Sequence, residues 1–426
     1  MSGFQSLRHN HDFTVLWIGQ TISELGSRIS MFVFPLLAYA ITGSALWAAA
    51  AEAAHLLGLV AVLLPAGVLA DRTDRRRLMR MASGTGAVLY ASLVGAALTT
   101  SISLPHLLVV AVLTGVGVGV FMPAEVSAVR TVVPDEDLPA ALSQNQARQH
   151  VAALVGGPLG GAMFSLVRWL PFAVDAVTYA LSWFLLGRIR TDLSRPAPAD
   201  DAHREAGMRV SLREGFRFVL ARPLFRVLMA FSASANLLIN AIIFLAILRL
   251  IEEGVAPVQI GLVETASGLF GLLGAVAAPR LIERFRTGHL AIATAWSWVP
   301  LAVPMIFWNT PLVVAAAISV GIFLNPAGNA GIGAYRMAHT PPELQGRVQS
   351  AIQFVAMSIM PLAPILAGGL LAWLGGATAI AVLGALTAIV ALIPTMSRSV
   401  RAVPRPDVWQ AELRAAEQRE ADLMVS

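Results

Sequence analysis

The sequence predicts an all-α integral membrane protein with twelve transmembrane helices in two pseudo-symmetric six-helix bundles. Three observations predict it. First, 57% of the 426 residues are hydrophobic and only 13% are charged, with mean hydropathy +0.71. Soluble domains run at roughly 45–50% apolar and about 25% charged. So few charges cannot cover a water-facing surface of this size, and lipid is the implied solvent. Second, twelve apolar stretches approach the roughly 20 residues that a helix needs to cross a bilayer core. Third, short motifs of the first half return in the same order in the second.

In order, the predicted spans are 13–41, 46–69, 78–98, 106–129, 143–166 and 170–187, then 225–249, 257–279, 289–308, 312–335, 348–371 and 375–394. Connections such as Thr42 to Ala45 and Asn309 to Pro311 are short and uncharged, so the helices they join run antiparallel. The predicted organisation is a first bundle over 1–190, a cytoplasmic linker with an interfacial helix over 191–223, a second bundle over 224–395 and a tail over 396–426. In the linker, 191–207 is polar, while Leu212, Phe216, Val219 and Leu220 fall at helical spacing among arginines. That pattern suits a short helix in the membrane interface or an amphipathic start to the seventh span. The polar start Met1–Asp12 runs into a stretch too long for a signal peptide's apolar region, so no cleavable signal is expected.

Charge placement orients the chain. All thirty basic residues are arginine, and with the N-terminus inside, twenty-seven of them fall in cytoplasmic loops, the tail or span ends facing the cytoplasm. Only Arg168 and Arg249 fall outside, and Arg28 lies within the first span. The excess of positive charge on one side sets both termini in the cytoplasm of a multi-pass inner-membrane protein. The pI of about 10.5 then reflects topology, with contact to anionic lipid as a by-product and no nucleic-acid partner.

Two absences exclude chemistry. There is no cysteine, so disulfides and cysteine-held metals are ruled out. There is no lysine, so a Walker A loop and a Schiff-base lysine are ruled out. The Gly115-x-Gly-x-Gly119 run lies inside a span and reads as packing, not as a nucleotide loop. The eight histidines are scattered, so neither enzyme chemistry nor a cofactor is expected.

The repeat is carried by several pairs. Gly67 to Arg76, containing Asp71, Arg72 and Arg75, is echoed from Pro279 to Arg286; Pro123 by Pro326; Pro134–Leu138 by Pro341–Leu344; and Pro158–Gly161 by Pro364–Gly369. The offsets are all 203 to 212 residues, which implies duplication. These motifs, together with Asp12-Phe13, Leu16-Trp17, Gly19-Gln20, Ser23, Gly26, Thr42-Gly43-Ser44, Val174-Asp175-Ala176 and the run from Gly215 to Arg226, resemble the major facilitator superfamily over roughly residues 10–395. Within it, the sequence is similar to the bacterial efflux branch that holds macrolide-type drug exporters and the enterobactin exporter.

The resemblance implies that Gly67, Asp71, Arg72, Arg75 and Arg76 latch the two halves outward-open, Gly67 permitting a close helix approach. The bland alternative is a loop whose arginines only set topology. Gly157, Pro158, Gly160 and Gly161 resemble the antiporter signature Gly-Pro-x-x-Gly-Gly, one residue short, and equally fit close helix packing. Many proton-coupled exporters carry an arginine in the middle of the fourth span. Here Val109–Gly119 has no charge, so that mechanism does not carry over.

Charge inside a membrane span costs about 2.5–3.5 kcal/mol at its centre, which makes such residues functional candidates. Glu24 and Arg28 stand four apart in the first span, as a proton site or as a self-neutralising pair. Glu52 and His55 form a second possible relay or an outer-vestibule contact, and Glu264 is a third proton-coupling candidate. Asp175 reads as structural. Glu125 with Arg130 reads as a cytoplasmic gate. Asn236, Asn240, Asn325 and Asn329 either meet substrate or bond between helices, and Trp17 and Phe244 could stack on a planar substrate.

The expected function is export of an amphipathic small molecule, a drug or secondary metabolite, by a monomer using proton antiport and alternating access. A siderophore exporter, a lysophospholipid transporter and a non-transporting membrane sensor or scaffold are the alternatives.

Overall fold

The computed structural model describes residues 7, 10–99, 102–194 and 213–425. The side chains of Leu64, Val68, Asp71, Arg72, Leu413, Ala416 and Glu417, and those from 420 on, lie outside the described residues, as do 195–212, which hold most of the expected linker. Among the described residues the chain is helical without a strand.

The first six helices are α1 His11–Thr42, α2 Ala45–Arg72, α3 Arg75–Thr99, α4 Leu104–Val132, α5 Leu138–Leu166 and α6 Leu170–Leu186. After a short helix over 213–221 come α7 Pro223–Glu252 and α8 Pro257–Arg284. The next three are each broken once. They are α9 (Thr287–Trp296, Val299–Phe307), α10 (Pro311–Phe323, Asn325–Ala338) and α11 (Pro342–Ile359, Leu362–Leu374). The twelfth, α12, is Gly376–Met396, and Arg398–Arg401 and Pro406–Val425 follow. Ten of these elements are long and apolar enough to cross a membrane. Of the other two, α6 is apolar but only 17 residues long. The remaining one, α5, has 29 residues and carries Gln144, Asn145, Gln146 and Arg148 near its start.

Twelve membrane elements stand where twelve were expected, with ends moved by a few residues. The breaks in α9, α10 and α11 were not anticipated. Each lies beside a proline (Pro300, Pro326 and Pro361), whose missing N–H deprives the carbonyl four residues earlier of its helical partner. Elsewhere the ends follow local chemistry. For example, α1 begins where the Asn10 side chain accepts from Phe13 N at 3.0 Å, and it ends at Gly43, whose φ of 63° allows its N–H to reach the Tyr39 carbonyl at 2.7 Å. Large apolar side chains stand exposed, including Val88 at 70%, Leu312 at 79% and Trp373 at 89%. A water-soluble surface avoids this, and a bilayer stabilises it.

The chain divides into two compact units that do not follow the sequence halves. One unit takes Met1–Glu205 with Ile247–Thr265 and Pro361–Trp373, and the other takes the rest. In the first unit, α2 lies along α4 and α1 packs between α5 and α6. Glycine sets the closeness. A Cβ at Gly58 would meet the Val112 carbonyl, one at Gly115 the His55 carbonyl, and one at Gly119 the Leu59 carbonyl at 2.8 Å. The two backbones are therefore in direct contact along three turns. The aromatic core of this unit is Phe34, Tyr90 and Phe172, with Tyr90 and Phe172 stacked 6.1 Å apart.

In the second unit, the 213–221 helix docks by burying Phe218 and Val219 against Phe225 and Val348. Glu214 pairs with Arg347. The apolar face expected there is rotated: Leu220 is exposed, and Gly215 is buried against the Arg347 backbone. In the tail, Trp409 meets the Tyr335 ring edge-on at 5.7 Å, and Tyr335 stacks on His339 at 3.9 Å.

Candidate functional site

Four charged residues of the first unit come within range of one another from three helices. On α1, Arg28 Nε donates to Glu24 Oε1 at 3.0 Å, one turn apart on one face. Glu52 of α2 and Glu264 of α8 lie within electrostatic range of each other and of Arg28. One carboxylate, Glu24, bonds the guanidinium directly, and the other two lie within its electrostatic reach. The Glu264 side chain also retains solvent-accessible surface.

The position of Glu264 follows from the two glycine edges of α5. Gly156 and Gly160 face α1: a Cβ at Gly156 would strike the Arg28 side chain, and one at Gly160 would lie 2.9 Å from the Ile29 carbonyl. Gly157 and Gly161 face α8: a Cβ at Gly157 would lie 2.9 Å from Glu264 Oε2 and 3.2 Å from Gly261 Cα, and one at Gly161 would strike Pro257. Helix α5 is thin enough at this level to let α1 and α8 approach from either side. Pro158 follows Gly157 on the α8 side, where a Cβ at Gly261 would strike its nitrogen.

Glu52 and His55 share a face of α2, but their neighbours differ. His55 is buried, with Nδ1 3.3 Å from Thr114 Oγ1 and its ring 6.3 Å from that of Phe34. Asp175 of α6 is fully buried: Thr178 Oγ1 donates to its Oδ1 at 2.9 Å, and Gly26 of α1 leaves space for the carboxyl.

Two expectations need correction. Glu125 does not pair with Arg130. Its partner is Arg148 of α5, whose Nη2 donates to Glu125 Oε1 at 2.8 Å with the Arg148 side chain 2% exposed. A spacing of five turns Arg130 away from Glu125 on a helix of 3.6 residues per turn, and Arg130 is exposed. Nor does Gly67 mark a close approach, since a Cβ there would meet open space. The tight α2 contact lies further up, at Gly58.

The loop arginines bind within their own half. Arg75 Nη1 donates to Thr131 Oγ1 at 3.3 Å, and Arg76 Nη2 to the Thr191 carbonyl at 2.6 Å. The Asp71 and Arg72 side chains lie outside the described residues. Asn236 and Asn240 donate along their own helix, to the Ser232 and Asn236 carbonyls, each at 2.8 Å. Asn325 opens the second segment of α10, and Asn329 is exposed one turn on. Trp17 packs on the cluster of Leu16, Leu78, Met79 and Ala124, and Phe244 is half-buried in α7.

Sequence reasoning missed the role of Asp12. Its carboxylate accepts from the Arg190 and Thr191 amides at 3.0 and 2.7 Å, tying the start of α1 to the segment that follows α6. The only signal was its place in the Asp12-Phe13 motif. The position of Arg148 within a polar run of an otherwise apolar helix signalled the buried pair.

Bundled apolar helices with charge gathered among them are the architecture of a multi-pass membrane protein. The chain matches the Major Facilitator Superfamily over residues 16–250 and 229–421, and it belongs to that family. It is similar to the multidrug efflux pump Tap of Mycolicibacterium fortuitum, 28% identical over 355 residues, covering 81% of this chain and 85% of that one. Tap of Mycobacterium tuberculosis H37Rv is 26% identical over 365 residues, covering 82% and 84%. The uncharacterised transporter YfiS of Bacillus subtilis is 24% identical over 422 residues, covering 92% and 94%. Among solved structures, a bacterial homologue of the lysosomal transporter Spinster superposes with a TM-score of 0.69 at 14% identity, covering 92% of this chain and 96% of that one. A bacterial homologue of the iron transporter ferroportin gives 0.68 at 16% identity, covering 90% and 98%. These last two likenesses establish the fold.

Proposed function

We propose that this chain exports amphipathic small molecules of the drug type across the cytoplasmic membrane in exchange for protons, as a monomer with both termini inside. The similarity to Tap multidrug pumps supports the cargo class. One observation carries the coupling. Glu52 of α2 and Glu264 of α8 lie within electrostatic range of each other and of Arg28, which Glu24 already holds. Opposed carboxylates repel when both are charged, and either a proton or a cationic group of the cargo relieves the repulsion. Competition between the two for one place is antiport in its simplest form. Release of Glu24 from Arg28 supplies a second exchangeable carboxylate within the same cluster.

Everted membrane vesicles energised by respiration test this. The wild type should accumulate ethidium and lose that accumulation when the pH gradient is collapsed. One proton exchanged down one pH unit supports about a tenfold accumulation, and each charge moved is worth about 2.3 kcal/mol per 100 mV. Glu264→Gln and Glu52→Gln should each remove gradient-driven accumulation while leaving the protein in the membrane. If both variants pump normally with unchanged pH dependence, the carboxylate cluster is not the coupling site. If the purified wild type moves no amphipathic compound under an imposed gradient, the transport reading itself falls.

A further inference from the structure

Pro158 has no N–H, so the Leu154 carbonyl, four residues earlier in α5, loses its place in the helical ladder. Inside a membrane an unpaired carbonyl is costly and draws in another donor. The donor here comes from a different helix: Thr265 Oγ1 of α8 lies 2.6 Å from the Leu154 oxygen and 3.3 Å from its own Gly261 carbonyl. One hydroxyl therefore bridges the gap in α5 and the backbone of α8. The contact lies where the two helices are closest, with Gly157 and Gly261 facing each other's backbones and Gly161 facing Pro257. Glu264, the neighbour of Thr265, sits against Gly157 in the same seam.

We propose that Thr265 is a positioning residue. Its hydroxyl, bonded to the carbonyl that Pro158 leaves free, fixes the rotation of α8 that seats Glu264 against Gly157. The charged groups within electrostatic range of that carboxylate are Arg28 of α1, with its partner Glu24, and Glu52 of α2; α5 presents glycine there. Proline in α5 and threonine in α8 thus form one unit, separated by about a hundred residues of sequence. The inference rests on the carboxylate reading above.

The test compares Thr265→Ser, which keeps the hydroxyl, with Thr265→Val, which keeps the shape, alone and combined with Glu264→Gln. Membrane levels and detergent monodispersity are checked for each. Thr265→Ser should transport ethidium at the wild-type rate with the wild-type pH profile. Thr265→Val should lose about tenfold in gradient-driven rate, as expected for one unpaired carbonyl, with a displaced pH profile. In the Glu264→Gln background, where gradient-driven pumping is already lost, it should not slow the remaining downhill ethidium efflux any further, because its effect runs through that carboxylate. Hydrogen–deuterium exchange over 154–165 should rise in Thr265→Val and not in Thr265→Ser. A normal rate and pH profile for Thr265→Val beside an impaired Glu264→Gln overturns this inference alone, as do losses that multiply in the double variant. Normal transport by Glu264→Gln leaves Thr265 no carboxylate to position and overturns this inference; with Glu52→Gln also normal, the carboxylate reading falls as well.

Discussion

Arg148 and Glu125 form a buried ion pair between α5 and α4, Nη2 to Oε1 at 2.8 Å, with side-chain exposures of 2% and 12%. Two charges out of water are tolerable together and costly apart. Replacing Arg148 with Met should therefore destabilise the protein by about 3–5 kcal/mol. The double variant Arg148→Met with Glu125→Leu should recover most of the loss. Thermal unfolding in detergent, followed by tryptophan fluorescence, measures both, and an unchanged transition in Arg148→Met would falsify the assignment of a buried pair.

Asp12 predicts a second stability effect. It gathers two backbone amides of the segment that follows α6, and charge-assisted hydrogen bonds are each worth about 1.5–3 kcal/mol. Asp12→Ala should lower the unfolding temperature and raise proteolysis after Arg190. Protection equal to wild type in limited proteolysis would show that the α1–α6 tie carries no load.

Two glycines of the first unit, one in α2 and one in α4, should behave oppositely. Gly115→Leu drives a side chain into the His55 carbonyl and should cost at least about 1–3 kcal/mol, enough to reduce the recoverable folded protein. Gly67→Ala meets open space and should leave the unfolding temperature unchanged or slightly higher. Size-exclusion profiles and melting curves of the two variants separate these outcomes.

The chain lacks cysteine, so a single introduced one reports without background. Cysteine at Arg77 should react with an impermeant maleimide only after the membrane is opened, and cysteine at Asn309 should react in intact cells. The reverse pattern would invert the proposed topology.

Much of this architecture was legible because lipid makes the rules one-dimensional. A run such as 104–132 must be helical and must span, and arginine placement predicts which way round. Prolines 300, 326 and 361 carried the breaks in α9 to α11, but a proline also lies inside continuous helices, at Pro35 and Pro158, so the residue alone does not decide. In α5 the Thr265 hydroxyl takes up the carbonyl that Pro158 frees, and the helix continues.

The candidate site was legible only along single helices. Glu24 and Arg28 pair because four residues make one turn. Glu52 and Glu264 lie on helices from different halves of the chain, and no periodicity links them. Glu125 was given to Arg130 because the two are neighbours in sequence, yet helical rotation separates them and brings Arg148 from the next helix. Thr265 carried no signal at all, since its partner is a backbone atom exposed by a proline elsewhere.

The glycine contacts of α2 and α4 have a further consequence. With Gly58, Gly115 and Gly119 setting backbone on backbone, the two helices are welded into a single strut. A strut cannot bend to fit differently shaped cargo. If the chain exports the varied drug-type molecules proposed for it, the adapting must be done by its neighbours, and a change at this weld would alter durability before taste.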